Sequence, residues 1–404
     1  MSGKSKKIVY IKGDVMELKE LLNNGTLKNF FQIQNANDIP EETLNIIRLL
    51  EQCHYKAGEN IVTYGAGAED GMYIIIKGTA TVFSENGNVI GNMKDGGFVG
   101  EMALISGKKR SATVKADGEL EAVRIPRNLF NEIIKKNPDC YAIFMETLYA
   151  NLTNVISEQQ RVKAELDVAR KIQLSALPMN FNDFGVEVFA TMSPAKAVGG
   201  DFYDIFRIDD KHVCMIIADV SGKGISAALF MFMSKMIIKN YAKMGITPSE
   251  VLSRANNELC EHNDASMFVT AFIGVLNTET GNFTYANAGH NPPVLMSNGG
   301  KCEFLKVKPG FVLAGMEDIK YTEGSIKLGD KDVLFMYTDG VTEAQNRNDE
   351  LFSDSRLITV LEKNNIKGKK IVELLEDVSS EINLFTDDAG QSDDITMLAF
   401  RVKG

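Results

Sequence analysis

Between residues 31 and 130 the apolar residues come in short runs closed by turn formers. Met72–Ile76 is followed by Lys77-Gly78, Thr79–Phe83 by Glu85-Asn86-Gly87-Asn88, and then comes Val89–Asn92. Such spacing predicts short strands joined by tight turns. Helical patterns flank them. Pro40–Gln52 sets Leu44, Ile47 and Leu50 at helical spacing, and Arg127–Lys136 begins a second helix. Residues 1–30 are basic and weakly patterned, and they read as a loosely attached arm or helix.

From 141 to 177 the pattern changes to a seven-residue beat with almost no Gly or Pro. Leu152, Val155, Gln159, Val162, Leu166, Ala169 and Gln173 step by 3, 4, 3, 4, 3, 4. This is an a/d seam of about three heptads, interrupted by two glutamines. It fits either a helix packed on its own domains or a parallel dimeric coiled coil over 151–178. Pro178 ends the helix. From 181 to 404 long apolar strands alternate with helices, which predicts an α+β domain. The richest apolar stretch, Ile225–Ile238, is broken by Ser226, Ser234 and Lys235. It is too short and too polar to span a bilayer and reads as a buried amphipathic helix.

Composition narrows the functional classes. The 404 residues carry 44 basic and 54 acidic side chains, for a net charge of −10. Residues 1–180 are balanced, so the whole excess lies in 181–404. This argues against a nucleic-acid binder, which shows a basic domain or stripe. Cys53, Cys140, Cys214, Cys260 and Cys302 are scattered and contain no C-x-x-C. They read as thiols in a reducing compartment. The basic Met1–Lys7 is not followed by the apolar core of a signal peptide. The expectation is a cytoplasmic protein without a membrane segment.

The first candidate site is Gly96-Gly97-Phe98-Val99-Gly100-Glu101-Met102-Ala103-Leu104-Ile105, followed by Arg110-Ser111-Ala112-Thr113-Val114. A Gly-rich turn opening a helix aims free N–H groups at an anion, and an arginine fork can hold a phosphate. This order resembles the phosphate-binding cassette of the cyclic-nucleotide-binding domain family, whose β-roll with flanking helices would occupy 31–150. The resemblance implies cAMP or cGMP as ligand. Glu101 would bind the ribose 2′-hydroxyl and Arg110 the cyclic phosphate, helped by Ser111 and by the backbone of Gly100, Met102 and Ala103.

The second is a set of aspartates at the ends of apolar runs: Asp201 after Gly199-Gly200, Asp219 ahead of Val220-Ser221-Gly222-Lys223, Asp339 ahead of Gly340, and Asp393-Asp394 opening Ile395–Phe400. Strand interiors disfavour Asp. Several carboxylates at strand tips suit a hard divalent cation such as Mg²⁺ or Mn²⁺, although each Asp-Gly taken alone is most simply a turn. G-G-D-F-Y-D, A-D-V-S-G-K-G, A-G-H-N-P-P, Y-T-D-G-V-T-E-A and S-D-D-I-T, in order between residues 199 and 396, resemble the motif set of PPM-type Ser/Thr phosphatases, in their SpoIIE-like subgroup. The resemblance implies an α-β-β-α sandwich over 181–404. Asp219 would bridge two Mn²⁺ or Mg²⁺ ions, joined by the Val220 carbonyl. Asp339 and Asp393 would complete the second metal, Asp201 would lie beside the pair, and Asp394 is the lesser ligand candidate. His290 would shape the site or act as a general acid, and Lys223 would steer phosphate or remain solvated. One departure is Leu351-Phe352-Ser353-Asp354, where the subgroup often has glycine after the aromatic residue.

The expectation is therefore an α+β multidomain chain in the order sensor, helix, catalyst. It would act as a metal-dependent phosphoserine/phosphothreonine phosphatase under cyclic-nucleotide control. Its partner would be a phosphoprotein such as an anti-sigma-factor antagonist, and it would dimerise through 151–178. A non-catalytic, nucleotide-responsive phosphoprotein binder is the alternative. A transcription factor would need a basic helix-turn-helix after the sensor, and the chain has an acidic domain there instead.

Overall fold

Strands that are apolar at every position can be satisfied only by burial on both faces, and residues 181–404 are rich in them. A computed structural model describes residues 9–10, 25–31, 33–35, 39–136, 138–261, 263–298, 300–308, 310–364, 369–387 and 389–402. Side chains at 9–10 and at several positions between 136 and 155, Leu152 and Val155 among them, lie outside those described. The chain forms two compact units, residues 1–159 and 160–404.

The first unit runs β1 (Val9–Tyr10), α1 (Gly25–Phe30), α2 (Glu41–Ile47), β2 (Glu51–Tyr55), β3 (Asn60–Val62), β4 (Met72–Lys77), β5 (Ala80–Phe83), β6 (Val89–Met93), β7 (Phe98–Val99), α3 (Glu101–Ser106), β8 (Thr113–Ala116), β9 (Leu120–Ile125) and α4 (Arg127–Lys136). Two antiparallel sheets result, β1-β2-β9-β4-β7 and β3-β8-β5-β6. Alternation along β4 divides its side chains between two cores. Tyr73 and Ile75 join a core shared with Ile61, Val114 and Ala116 of the other sheet, while Met72 and Ile74 pack with the helical residues Leu27, Phe30 and Phe130. Leu27 and Phe30 are each 1% exposed. This end of the expected arm is thus part of the core.

Helix α5 (Pro138–Ser175) is the heptad segment. Within the second unit, Val162 on the expected seam is exposed, Leu166 and Ala169 are half-buried, and Gln173 is buried. The seam therefore does not continue uniformly to Gln173.

The second unit continues through β10 (Val186–Ser193), β11 (Phe202–Arg207), β12 (His212–Val220), α6 (Ile225–Ala242), α7 (Pro248–Glu261), β13 (Val269–Asn277), β14 (Asn282–Ala288), β15 (Val294–Met296), β16 (Cys302–Phe304), β17 (Glu323–Lys327), β18 (Val333–Tyr337), α8 (Asp339–Thr342), α9 (Ser353–Lys363), α10 (Ile371–Thr386) and β19 (Ile395–Val402). The sheets are β10-β19-β18-β15-β16 and β11-β12-β13-β14-β17. In β18, Leu334 and Met336 join the core shared with the second sheet, whereas Val333, Phe335 and Tyr337 pack with α9 and α10. Both faces are covered, which accounts for the unbroken apolar run.

The polar breaks in α6 are satisfied inside the fold. Ser234 donates to the Phe230 carbonyl, and Lys235 and Lys239 both pair with fully buried Asp204. Among the described residues, no helix is long and apolar enough to cross a membrane.

The departure at Leu351–Asp354 has a backbone cause. Ser353 takes a φ of 68°, a left-handed conformation that costs a residue with a Cβ about 1–2 kcal/mol. Ser353→Gly is expected to raise stability by about 1 kcal/mol, a gain of roughly 2–4 °C in Tm for a domain of this size. Calorimetry checks it, and an unchanged or lower Tm would contradict it.

Candidate active site and nucleotide pocket

In the second unit three chain passages meet at one edge of the two sheets. The Gly199-Gly200-Asp201 loop leads into β11, Asp219-Val220 ends β12, and Asp393-Asp394 opens β19, with Asp339 beginning α8 directly after β18. Asp394 is 5% exposed, and its carboxylate accepts the backbone N–H groups of Ala195 at 2.8 Å and Gly200 at 2.7 Å. Asp201 is 1% exposed and accepts the Thr338 hydroxyl at 2.7 Å. Thr338 is itself held by Thr396, which donates its N–H to the Thr338 hydroxyl and accepts the Thr338 N–H.

The glycines of these motifs serve close approach and are not simple turn formers. A Cβ on Gly199 would lie 2.2 Å from an Asp394 oxygen, one on Gly200 2.7 Å from the Val220 carbonyl oxygen, and one on Gly340 1.9 Å from the Asp394 carbonyl oxygen. The sequence shows these glycines, but only the packed chain shows what they admit.

The carboxylates repel one another. Burial raises Asp201 well above the usual carboxylate range, and the neighbouring charge of Asp219 adds to it. Asp219 is pushed up to about 7 by burial and then by the charges of Asp339, Asp393 and Asp394, while hydrogen bonding to Asp201 opposes the shift. Asp339 is raised by burial and then by the charges of Glu343 and Asp393. The Lys223 ammonium sits 2.8 Å from Asp393 and also donates to the Ser392 carbonyl at 2.6 Å, so Lys223 is paired while it stays exposed.

Among the described residues no three acidic, His or Cys side chains close on a common point as a finished cage. The donor chemistry nevertheless fits a hard cation. Positive charge already stands in the cleft as the Lys223 ammonium on Asp393. All the donors are oxygens.

Burial holds His290 down at about 4, so its imidazole is neutral at neutral pH. Its Nδ1 lies 2.8 Å from the Thr270 hydroxyl, and its backbone is tied to Asn287 in both directions. This geometry favours shaping the site over acting as an acid. The neutral form is fully favourable above pH 6.5, and its contribution is lost as pH falls toward 4. At 1.36 kcal/mol per pH unit, protonation therefore contributes about 3 kcal/mol to acid destabilisation. His290→Gln is expected to flatten the stability–pH curve by that amount between pH 6.5 and 4 in urea unfolding. Identical slopes would contradict it.

The functional contact that the heptad reading missed is Gln173. Its amide donates to the Gly199 carbonyl at 2.6 Å and accepts the Gly199 N–H at 3.0 Å. The loop carrying Asp201 is thus gripped from one side by α5 and from the other by Asp394. A polar residue at an otherwise apolar seam position was the only available signal.

In the first unit Gly100 stands before α3 with a φ of 82°, and a Cβ there would meet Arg110 Nη1 at 2.1 Å. Arg110 is 3% exposed and donates to the Gly100 carbonyl, the Gly71 carbonyl and the Asp70 carboxylate, each at 2.5 Å. Burial raises Glu101, and the Arg110 charge opposes the shift. Ala103 is buried, while Met102 and Ser111 are exposed. Arg110, Gly100 and Glu101 therefore come together. Asp70, a partner not singled out in the motif, occupies part of the guanidinium fork.

The second unit is a two-sheet sandwich covered by helices on both sides, with a carboxylate cleft at one edge: the class is a PP2C-type phosphatase fold. Residues 209–403 match the family described as stage II sporulation protein E (SpoIIE), and residues 52–137 match the cyclic nucleotide-binding domain. The chain carries a domain of each family. It is 35% identical to the phosphoserine phosphatase RsbU of Bacillus subtilis over 191 residues, which are 47% of this chain and 57% of that protein. It is 31% identical to protein IcfG of Synechocystis sp. over 266 residues, 59% of this chain and 41% of that one. The chain thus spans about half the length of the curated relatives it matches. The SiaA-PP2C domain of Pseudomonas aeruginosa superposes with a TM-score of 0.55 at 20% identity, covering 60% of this chain and 98% of that domain, which establishes the shared fold.

Proposed function

We propose that the chain is a metal-dependent phosphoserine/phosphothreonine protein phosphatase whose first domain binds a cyclic nucleotide and controls the second. The observation that carries this reading is the gathering of Asp201, Asp219, Asp339 and Asp393 at one sheet edge, where they repel one another and Lys223 pairs with Asp393. Asp219, the Val220 carbonyl, Asp339 and Asp393 would hold two Mn²⁺ or Mg²⁺ ions. Asp201 would lie beside them. Such a pair supplies a hydroxide near neutral pH and neutralises phosphoryl oxygens.

The protein's own part is positioning. Asp394 anchors the Gly199–Asp201 loop through backbone N–H groups, so it serves better as an anchor than as a ligand. Thr338 fixes the Asp201 carboxylate. Lys223, released from Asp393, would stand ready to meet an anionic phosphoryl group.

The chain order of sensor, helix and catalyst makes α5 the transmitter, and the grip of Gln173 on Gly199 supports that reading. Nucleotide binding would bias the cleft between competent and incompetent states. The relationship to RsbU favours a phosphoserine protein of the anti-sigma-factor-antagonist kind as substrate, and α5 is the element proposed for homodimerisation. The test is phosphate release from a phosphoserine protein with Mn²⁺ or Mg²⁺, titrated separately with cAMP and cGMP. No metal-dependent release sinks the phosphatase reading, and release indifferent to both nucleotides sinks the control.

A further inference from the structure

Beside the cleft lies a cavity of about 580 Å³ walled by Cys260, Asn263 and Ser266–Phe268 on one side and by the loop from Phe311 to Glu317 on the other. Phe268, Phe311 and Met316 stand 43%, 48% and 56% exposed around it. Clustered apolar surface of this kind on a folded domain marks a contact site.

The groove is held in shape. Fully buried Asn256 accepts the Ala314 N–H and donates to the Met316 carbonyl, while Asn263 donates to the Met267 and Ala314 carbonyls. A Cβ on Gly315 would come within 2.7 Å of the Phe311 ring, so the absence of a side chain there lets the ring lie across the loop. Preformed apolar surface loses little entropy when a partner covers it.

The groove is also continuous with the cleft. The Ser221 N–H donates to the Phe268 carbonyl and the Phe268 N–H to the Ser221 hydroxyl, both at 2.9 Å. Ser221 follows Asp219 by two residues. Phe268 therefore stands next to the strand end that carries Asp219. Glu317 lines the groove, and no basic side chain does so among the described residues.

We infer that this groove docks the phosphoprotein substrate, taking an apolar side chain that lies near the phosphoserine and is flanked by basic residues. The inference rests on the phosphatase reading and adds the substrate feature that reading lacks.

The test uses fluorescent phosphoserine dodecapeptides in which one leucine is moved along an alanine-lysine background. Binding to the full chain is read by anisotropy, and turnover is read with Mn²⁺. One or two leucine positions are expected to bind about tenfold tighter than the leucine-free peptide. Phe311→Ser and Met316→Lys should each erase that gain while leaving p-nitrophenyl phosphate turnover unchanged. Binding indifferent to leucine position, or a gain that survives both substitutions, overturns the inference. Absence of p-nitrophenyl phosphate turnover in the unaltered protein instead contradicts the phosphatase reading, and the anisotropy arm still decides docking.

Discussion

Asp219→Asn is expected to lower metal-dependent phosphate release at least about a thousandfold, because it removes a carboxylate proposed to hold the metal ions. The same substitution should stabilise the metal-free protein. Asp219 is desolvated and faces the charges of Asp339, Asp393 and Asp394, and an asparagine there carries no charge to be desolvated or repelled. A gain of about 1 kcal/mol corresponds to roughly 2–4 °C in Tm. Phosphate release and calorimetry on the same preparation check both arms. Lost activity with a higher Tm separates a missing ligand from unfolding. Retained activity would remove Asp219 from the mechanism.

Arg110→Ala is expected to weaken cAMP or cGMP binding at least about a hundredfold. Charge-assisted hydrogen bonds contribute about 1.5–3 kcal/mol each, and the guanidinium fork offers two to a phosphate. Arg110→Lys should recover only part of the affinity, since it restores the charge without the fork. Isothermal titration reads both variants. Because Arg110 also holds Asp70, Gly71 and Gly100, Arg110→Ala should lower the Tm of the first unit as well. Glu101→Gln provides the separate check: it leaves the Arg110 contacts in place and should weaken binding through the ribose hydroxyl alone. Unchanged affinity in both Arg110→Ala and Glu101→Gln would dismiss the pocket.

Much of the fold was readable because it is local. The turn residues after Met72–Ile76 and the helical spacing in Arg127–Lys136 correspond to elements of the structure, whereas the helix read over Pro40–Gln52 stops at Ile47 and Glu51–Gln52 open β2. The long apolar strands expected in 181–404 are present, and β18 is covered on both faces, by the two cores beside it. The arm was misjudged at Leu27 and Phe30, where a single helical turn is too short to show periodicity. At Gln173 the seven-residue beat was correct as helix, but it could not distinguish a seam from a docking contact.

Residue type and short spacing already showed which side chains were at hand: the carboxylates at strand ends, the arginine after a Gly-rich turn, and the glycines beside both. What each of them meets is a matter of folding. Gly200 reaches Asp394 across 194 positions, Arg110 reaches Asp70 across 40, and Gln173 reaches Gly199 across 26. Hydrogen bonds and ion pairs depend on distance in space, whereas periodicity reports only neighbours along the chain. The groove at Phe268, Phe311 and Met316 belongs to the same category, since its walls come from separate segments that are brought together only by the folded sheet and loop.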